Sequence, residues 1–195
     1  ILLILGACRR ASEGIEGAKA SNWKWSADYL IGKQLTGSRL GILGMGRTEA
    51  TNEKAIKSIY KLKKRPINNP IICHFKNLEE IEKNFVLNSK AYKLARSFWP
   101  GPLTLILEKK KISKIKSILS NNTRFVGCRI PKHPIANKLL KNLNFPLAAP
   151  SANISTKLSS TNINHLSKKF LDKIYIIDGG ESLYGLESTV VDVTK

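Results

Sequence analysis

The sequence predicts an α/β (α+β) domain, and three observations carry that expectation. Short apolar runs of strand length alternate with segments whose apolar residues recur at helical spacing. Proline, glycine, asparagine and serine punctuate the joins and leave short connections. The chain has 195 residues, 42% of them hydrophobic, enough to close one core around such elements.

Taken in order, "LLILGACRRASEGIEGAKAS" reads as a helix, followed by a Trp-containing loop and a short strand, "RLGILG". "TNEKAIKSIYKLKK" carries Ala55, Ile56, Ile59, Tyr60 and Leu62 at mostly helical spacing, with Thr51 or Asn52 as N-cap and Pro66 as its end. "PIICHF" reads as a buried strand, and "NLEEIEKNF" opens with Asn77 and Glu80 in capping-box spacing. "SKAYKLARSFW" is a helix cut by "PGP", with Phe98 and Trp99 expected in the core. The strands "LTLILE" and "RFVGCRIP" follow, the second closed by Pro131. "HPIANKLLKNL" is a helix whose proline stands in the first turn, where a lost N–H costs nothing. The loop "FPLAAPSAN", a helix near 162–171, the strand "IYIID", a "GG" turn and the edge strand "STVVDV" complete the order.

Cysteine usage and hydropathy bound the setting. Cys8, Cys73 and Cys128 are odd in number and form no C-x-x-C pair, which suits a reducing cytosol and argues against a disulfide framework or a zinc site. No apolar run approaches the roughly 20 residues of a membrane span. Residues 1–5 are too short for the apolar part of a signal peptide, and no basic residue precedes them. A cytoplasmic protein without a membrane partner is expected; oligomeric state is not legible.

The formal net charge is +19, which favours polyanions such as nucleotides or RNA. Composition bias explains much of it: there are 25 Lys against 8 Arg, and Ile and Asn are abundant too. Composition also breaks near residue 47. Residues 1–47 hold 8 of the 13 Gly and one Asn, Asn22, whereas residues 48–195 hold the other 14 Asn. Basic and acidic residues number 7 and 3 before the break and 26 and 11 after it, so the net charges are +4 and +15.

Before the break, "GACRRASEG", "NWKWSADYLIGKQLTG" and "GILGMGR" resemble the D-2-hydroxyacid dehydrogenases. In that family Gly44-x-Gly46 would bring backbone N–H groups to a cofactor pyrophosphate. Here Glu49 stands where the third glycine belongs, and no ribose-binding acid or catalytic segment follows. The half-motif is read as an inert turn, and no NAD is expected.

After the break, several local words each admit a plain structural reading. Lys63 and Arg65, two apart past a helix and beside Asn69, could answer the helix dipole. Ser151 and Asn153 in "APSANIS" could be a cap or a turn, or ligand groups on a loop after a strand. His74 could be a satisfied strand-end histidine, and Ser188 and Thr189 ordinary strand polars. Together and in order, however, "ATNEKAIKSIYKLKKRPINNPIICHF", "SFWPGPLTLIL", "VGCRIPKHPIANKLL", "FPLAAPSANIS" and "DGGESLYGLESTVVD" closely resemble the YrdC-like threonylcarbamoyl-AMP synthases, over residues 50–195.

That resemblance implies a twisted mixed sheet with flanking helices and a basic concave site, preceded by a short unrelated N-terminal segment. It implies a nucleotidyltransferase that joins L-threonine, bicarbonate and ATP into threonylcarbamoyl-AMP, releasing pyrophosphate, for modification of adenosine 37 of tRNAs. An anion attacks an anion in such chemistry, so fixed cations and hydrogen-bond donors matter more than a protein nucleophile. Carried over by motif, Lys63, Arg65, Ser151 and Asn153 are the expected catalytic set. The same four with Asn69 and Ser159 are expected on ATP, and His74, Arg129, Ala149 and Ser188 around threonine. Arg129 suits the threonine carboxylate through its bidentate fork. Mg²⁺ is expected to arrive with ATP, with no metal site in the protein. His133 and His165 are read as surface or capping residues.

The chain also departs from the family pattern. "GILGMGRTE" replaces a P-T-E-T-V-Y-G-L-G stretch whose threonines line the threonine pocket, and Thr48 and Thr51 are not assumed to stand in for them. Phe125 stands where a threonine of the ATP site is common, and the chain ends at Lys195, before a Leu-Arg-Pro-Gly segment. The expectation is therefore a dehydrogenase-like fragment at 1–47 joined to a YrdC-like domain at 48–195, truncated at both ends, with impaired synthase activity. The alternative is a non-catalytic module of the same fold that binds double-stranded RNA or tRNA.

Overall fold

A computed structural model describes residues 39–43, 50–156, 159, 166, 174–177 and 187–195. The dehydrogenase-like helix and Trp loop, the Gly44–Gly46 turn, Thr48, Glu49, the helix near 162–171, His165 and the glycine turn at 179–180 lie outside the described residues.

The helices begin where the side chains say they should. Asn52 caps α1 (Glu53–Lys63) by accepting from the Ala55 N–H at 3.2 Å. Asn77 caps α2 (Leu78–Asn84) by accepting from Glu80 N–H at 3.0 Å, and Asn88 caps α3 (Ser89–Phe98). α4 (Pro134–Lys141) opens on its proline. His133 occupies the N-cap position there, without a side-chain capping bond. Two expectations need correcting. α1 ends before Pro66, through Lys64 in the left-handed conformation (φ 50°), with Arg65 N–H bonded to the Tyr60 carbonyl. Phe98 is 55% exposed, because α3 buries Ala91 and Ala95 and the chain then turns Trp99, not Phe98, inward. The Trp99 indole N–H bonds the Leu103 carbonyl at 2.7 Å across the cis Trp99–Pro100 bend.

Six strands form one mixed sheet. β5 (Phe125–Arg129) runs antiparallel to β4 (Leu103–Lys109) and parallel to β2 (Cys73–His74), and β2 pairs antiparallel with β6 (Leu147–Ala148). The far side of β4 takes β8 (Thr189–Asp192) in parallel and, at Glu108–Lys109, the short β3 (Phe85–Val86) antiparallel. Strand β1 (Arg39–Leu43) pairs antiparallel with β7 (Ile174–Ile177) in a separate two-stranded sheet. The "RLGILG" run before the composition break is therefore a strand, as its length and apolarity predict.

Period-two alternation then sorts the sheet's faces. Cys73, Ala148, Val126 and Cys128 join Ile56, Ile59 and Tyr60 of α1 in the main core cluster. The opposite register partners, His74, Leu147 and Arg129, share the other face. There Leu147 packs with Ala136, Leu139 and Leu140 of α4. Helices thus flank both faces; β2 and β5 end side by side at His74 and Arg129, whereas the antiparallel β6 leaves beside the start of β2.

Candidate active site

Lys63 closes the last turn of α1 with a completely buried side chain (0% exposed). Its ammonium donates to the Ser151 carbonyl at 2.5 Å, the Asn153 carbonyl at 2.5 Å and Asn153 Oδ1 at 3.1 Å. Ser151 Oγ in turn donates to Asn153 Oδ1 at 2.8 Å, and the Lys63 carbonyl accepts from Ser155 N–H at 2.9 Å. The loop after β6 is therefore wrapped around one cation whose three protons are all engaged. Burial, then the neighbouring Arg65 charge, pushes the Lys63 ammonium down to about 8, while Glu187 opposes both.

Arg65 lies just past the left-handed Lys64. Its Nε donates to the Asn69 carbonyl at 3.0 Å, and Nη2 donates to Asn69 Oδ1 at 2.7 Å and the Pro70 carbonyl at 2.6 Å. The guanidinium is half-buried and organises the Arg65–Pro70 turn, which leads into β2. Desolvation lowers its pKa, and Tyr60 and then Glu187 oppose that shift.

A second corner forms where β2 and β5 end side by side. Parallel register sets His74 next to Arg129. Arg129 is half-buried and donates from Nε to the Gly101 carbonyl at 3.0 Å. Gly101 holds that carbonyl in place because its own N–H bonds the Ile130 carbonyl at 2.9 Å. A Cβ there would meet the Phe98 carbonyl oxygen at 2.1 Å, so only glycine fits. His74 is 3% exposed, and neither ring nitrogen makes a hydrogen bond of normal geometry. Burial first and the Arg129 charge second lower its pKa to about 3, with the Ile72 carbonyl near enough to oppose slightly, so the ring is neutral. Ala149, almost fully buried, ties its N–H to the Ile72 carbonyl at 3.1 Å. Two residues on, the chain reaches Ser151 and the first corner.

The structure thus joins Lys63, Ser151 and Asn153 directly, sets Arg65 within electrostatic reach of Lys63, pairs His74 with Arg129 on adjoining strand ends, and ties Ala149 to Ile72 at the other end of β2. Ser188 stands on the run into β8, its Oγ 2.8 Å from the hydroxyl of the fully buried Thr104. Ser159 donates to the Glu187 carboxylate. Phe125 lies at the other end of β5 from Arg129, with the Arg124 guanidinium 5.3 Å from its ring centre.

Sequence reasoning missed Glu187, Thr104 and the task of Gly101. Glu187 acts on Lys63, Arg65 and Arg129 alike, favouring the charged form of each. Its one sequence signal was an acid directly ahead of the "ST" strand entry. Among the described residues the ion pairs are Lys57–Glu53, Lys76–Glu80, Lys83–Glu79 and Arg124–Glu108, none of them at the site. The site cations are met by neutral oxygens at contact distance. Cations held in place this way lend a fixed positive potential to the site.

Residues 45–195 match the Sua5, YciO and YrdC family model, described as "Telomere recombination". A threonylcarbamoyl-AMP synthase of Pyrococcus abyssi is 43% identical over 158 residues, covering 79% of this chain and 45% of that protein. The Bacillus subtilis threonylcarbamoyl-AMP synthase is 38% identical, covering 77% and 43%. The crystal structure of P. abyssi Sua5 complexed with L-threonine superposes with a TM-score of 0.71 at 41% identity, over 80% of this chain and 44% of that one. The chain therefore spans less than half the length of these relatives.

Proposed function

The chain belongs to the Sua5/YciO/YrdC family, and from that premise we propose that it is an L-threonylcarbamoyladenylate synthase acting on L-threonine, bicarbonate and ATP. The observation that carries the proposal is the convergence of Lys63, Ser151 and Asn153 into one buried corner beside a second corner of Arg129 and His74.

Roles follow from what each group has left to give. Arg129, half-buried with Nε on the Gly101 carbonyl, holds the threonine carboxylate with the rest of its fork. His74, neutral and with unspent ring nitrogens, meets threonine's polar atoms, alongside the Ala149 backbone and the Ser188 hydroxyl. Threonine's amine adds to bicarbonate carbon, water departs, and the resulting carbamate oxygen attacks the α-phosphorus of ATP as pyrophosphate leaves. Arg65, Asn69, Ser151, Asn153 and Ser159 line the nucleotide side. Lys63 supplies a fixed charge beneath them and holds the Ser151–Asn153 loop in shape. Rate enhancement then comes from positioning two anions among cations already in place. Mg²⁺ enters on the nucleotide substrate, and the product serves tRNA modification in the cytoplasm; no described helix is long and apolar enough to cross a membrane.

The organisation proposed is a dehydrogenase-like segment at 1–47 and the synthase domain at 48–195. Two observations support it: the family match starting at residue 45 and the composition change near 47. The stretch before Ala50 departs from the family's P-T-E-T-V-Y-G-L-G sequence, and lowered activity is proposed on that ground. The test is pyrophosphate release from ATP on adding threonine and bicarbonate. Release that needs all three substrates and disappears in Lys63→Ala is expected; threonine-independent release, or release unaffected by Lys63→Ala, overturns the proposal. Retention of tRNA with no pyrophosphate under any condition would favour the RNA-binding reading instead.

A further inference from the structure

We propose that Thr104 is a positioning residue of the threonine corner: its buried hydroxyl holds Ser188 Oγ so that the Ser188 proton is turned outward, toward an oxygen of the bound amino acid. The inference deepens the reading of that corner as a threonine site and rests on it.

The sheet fixes Thr104 from both sides. Leu103 and Leu105, its neighbours on β4, lie in the main core, and Leu105 pairs there with Cys128. Alternation therefore sets Thr104 on the opposite face, the one that His74 and Arg129 share. On one side stands β5, where Gly127 has no side chain. A Cβ there would meet Thr104 Cγ2 at 3.3 Å and Ile72 Cγ1 at 3.5 Å, so the Thr104 methyl already lies over the glycine. On the other side stands β8, pinned by the Thr189 N–H on the Pro102 carbonyl at 3.0 Å and by the Leu103–Thr189 and Thr104–Val190 register pairs. With its methyl branch laid over β5, Thr104 turns its hydroxyl branch to β8, 2.8 Å from Ser188 Oγ.

Burial then settles which oxygen donates. Thr104 is 0% exposed, and Ser188 Oγ is the partner its hydroxyl has among the described residues. A buried O–H proton without an acceptor is costly, so Thr104 donates and Ser188 accepts. Ser188 is half-buried and keeps its own proton, which the Thr104 contact directs away from the sheet interior. The same entry to β4 serves Arg129, whose Nε is anchored by the Gly101 carbonyl. One short stretch of chain thus seats both a guanidinium fork and a hydroxyl donor, while Thr104 itself is enclosed and acts through Ser188. A donor aimed beforehand gives up less freedom on binding than a free hydroxyl rotor does.

The experiment is calorimetric titration of L-threonine, and separately of ATP, into the full chain, Thr104→Val, Thr104→Ser, Ser188→Ala and the double variant of Thr104→Val with Ser188→Ala. Valine keeps the methyl over Gly127 and removes the hydroxyl, whereas serine keeps the hydroxyl. Thr104→Val and Ser188→Ala are each expected to weaken threonine binding by about two- to fivefold and to leave ATP binding unchanged. The double variant is expected to match Ser188→Ala, because the two hydroxyls act as one unit, and Thr104→Ser is expected to match the parent. A merely structural Thr104 would weaken both ligands together, or would add its loss to that of Ser188→Ala. Either result overturns the inference, as does threonine binding by Thr104→Val equal to that of the parent. If the valine variant does not fold, Thr104→Ala, which also lacks the hydroxyl, makes the same comparison. Unchanged threonine binding by Ser188→Ala overturns the inference and leaves Arg129 and His74 in their proposed roles. A parent that does not bind threonine overturns the reading of the corner, and this inference with it.

Discussion

The two corners of the site solve opposite problems with similar materials. Lys63 and His74 are both buried polar side chains at the C-terminal ends of their elements. Lys63 spends every ammonium proton on Ser151 and Asn153, whereas His74 keeps both ring nitrogens without a normal hydrogen bond. A buried donor fully met by oxygens rigidifies what surrounds it; a buried polar group left unmet costs stability until something meets it. On the proposed reading, the Lys63 corner is finished before substrate arrives, and the His74–Arg129 corner is completed by substrate.

Removing Lys63 breaks the finished corner and has the largest expected effect. Lys63→Ala leaves two carbonyls and an amide oxygen facing one another without a donor. Pyrophosphate release should fall by about 100-fold or more, and urea unfolding should show a loss of about 2–4 kcal/mol. Arg129→Ala acts on the other corner and should cost stability less than Lys63→Ala, about 1 kcal/mol for the lost Gly101 contact, while raising the KM for threonine by roughly 10- to 100-fold, with the KM for ATP little changed.

His74→Phe sharpens the contrast by its sign. An apolar ring in place of an unmet imidazole is expected to leave stability within about 0.5 kcal/mol of the parent, or raise it, while threonine binding weakens by about tenfold. Loss of stability comparable to that of Lys63→Ala would show that the two corners do not differ as described.

pH gives a smaller and separable readout. The Lys63 ammonium is charged below about 8 and loses its charge as pH rises past that value. The kcat/KM for ATP should therefore decline on the alkaline side with an apparent pKa of about 8. His74 gains its charge only as pH falls toward about 3, so it adds no inflection near neutrality. The smallest effect is expected for Ser188→Ala, a loss of about two- to fivefold in threonine affinity, as one neutral hydroxyl contact disappears.

What was legible in the sequence was whatever local chemistry decides. Asn52 and Asn77 announced their helices, Pro134 opened α4, and the apolar runs gave β4 and β5. The motif words also named the Lys63, Ser151 and Asn153 positions that the fold joins, and the His74 and Arg129 positions that it pairs. Local signals failed where two candidates competed or partners were distant. Phe98 and Trp99 are equally apolar on paper, and only the bend chooses Trp99 for the interior. Lys64 gave no sign of ending a helix ahead of Pro66, since a left-handed lysine is set by its surroundings. Thr104 meets Ser188 from 84 positions away. No periodicity encodes such contacts.

The most direct test is a crystal structure of this chain with L-threonine and a non-hydrolysable ATP analogue bound together. It should show the Lys63–Ser151–Asn153 bonds intact, the amino acid on Arg129 with a His74 nitrogen satisfied, and the α-phosphate facing the amino group from the Ser151 side. Threonine bound away from His74 and Arg129, or a Lys63 corner that forms only around the nucleotide, would contradict the account.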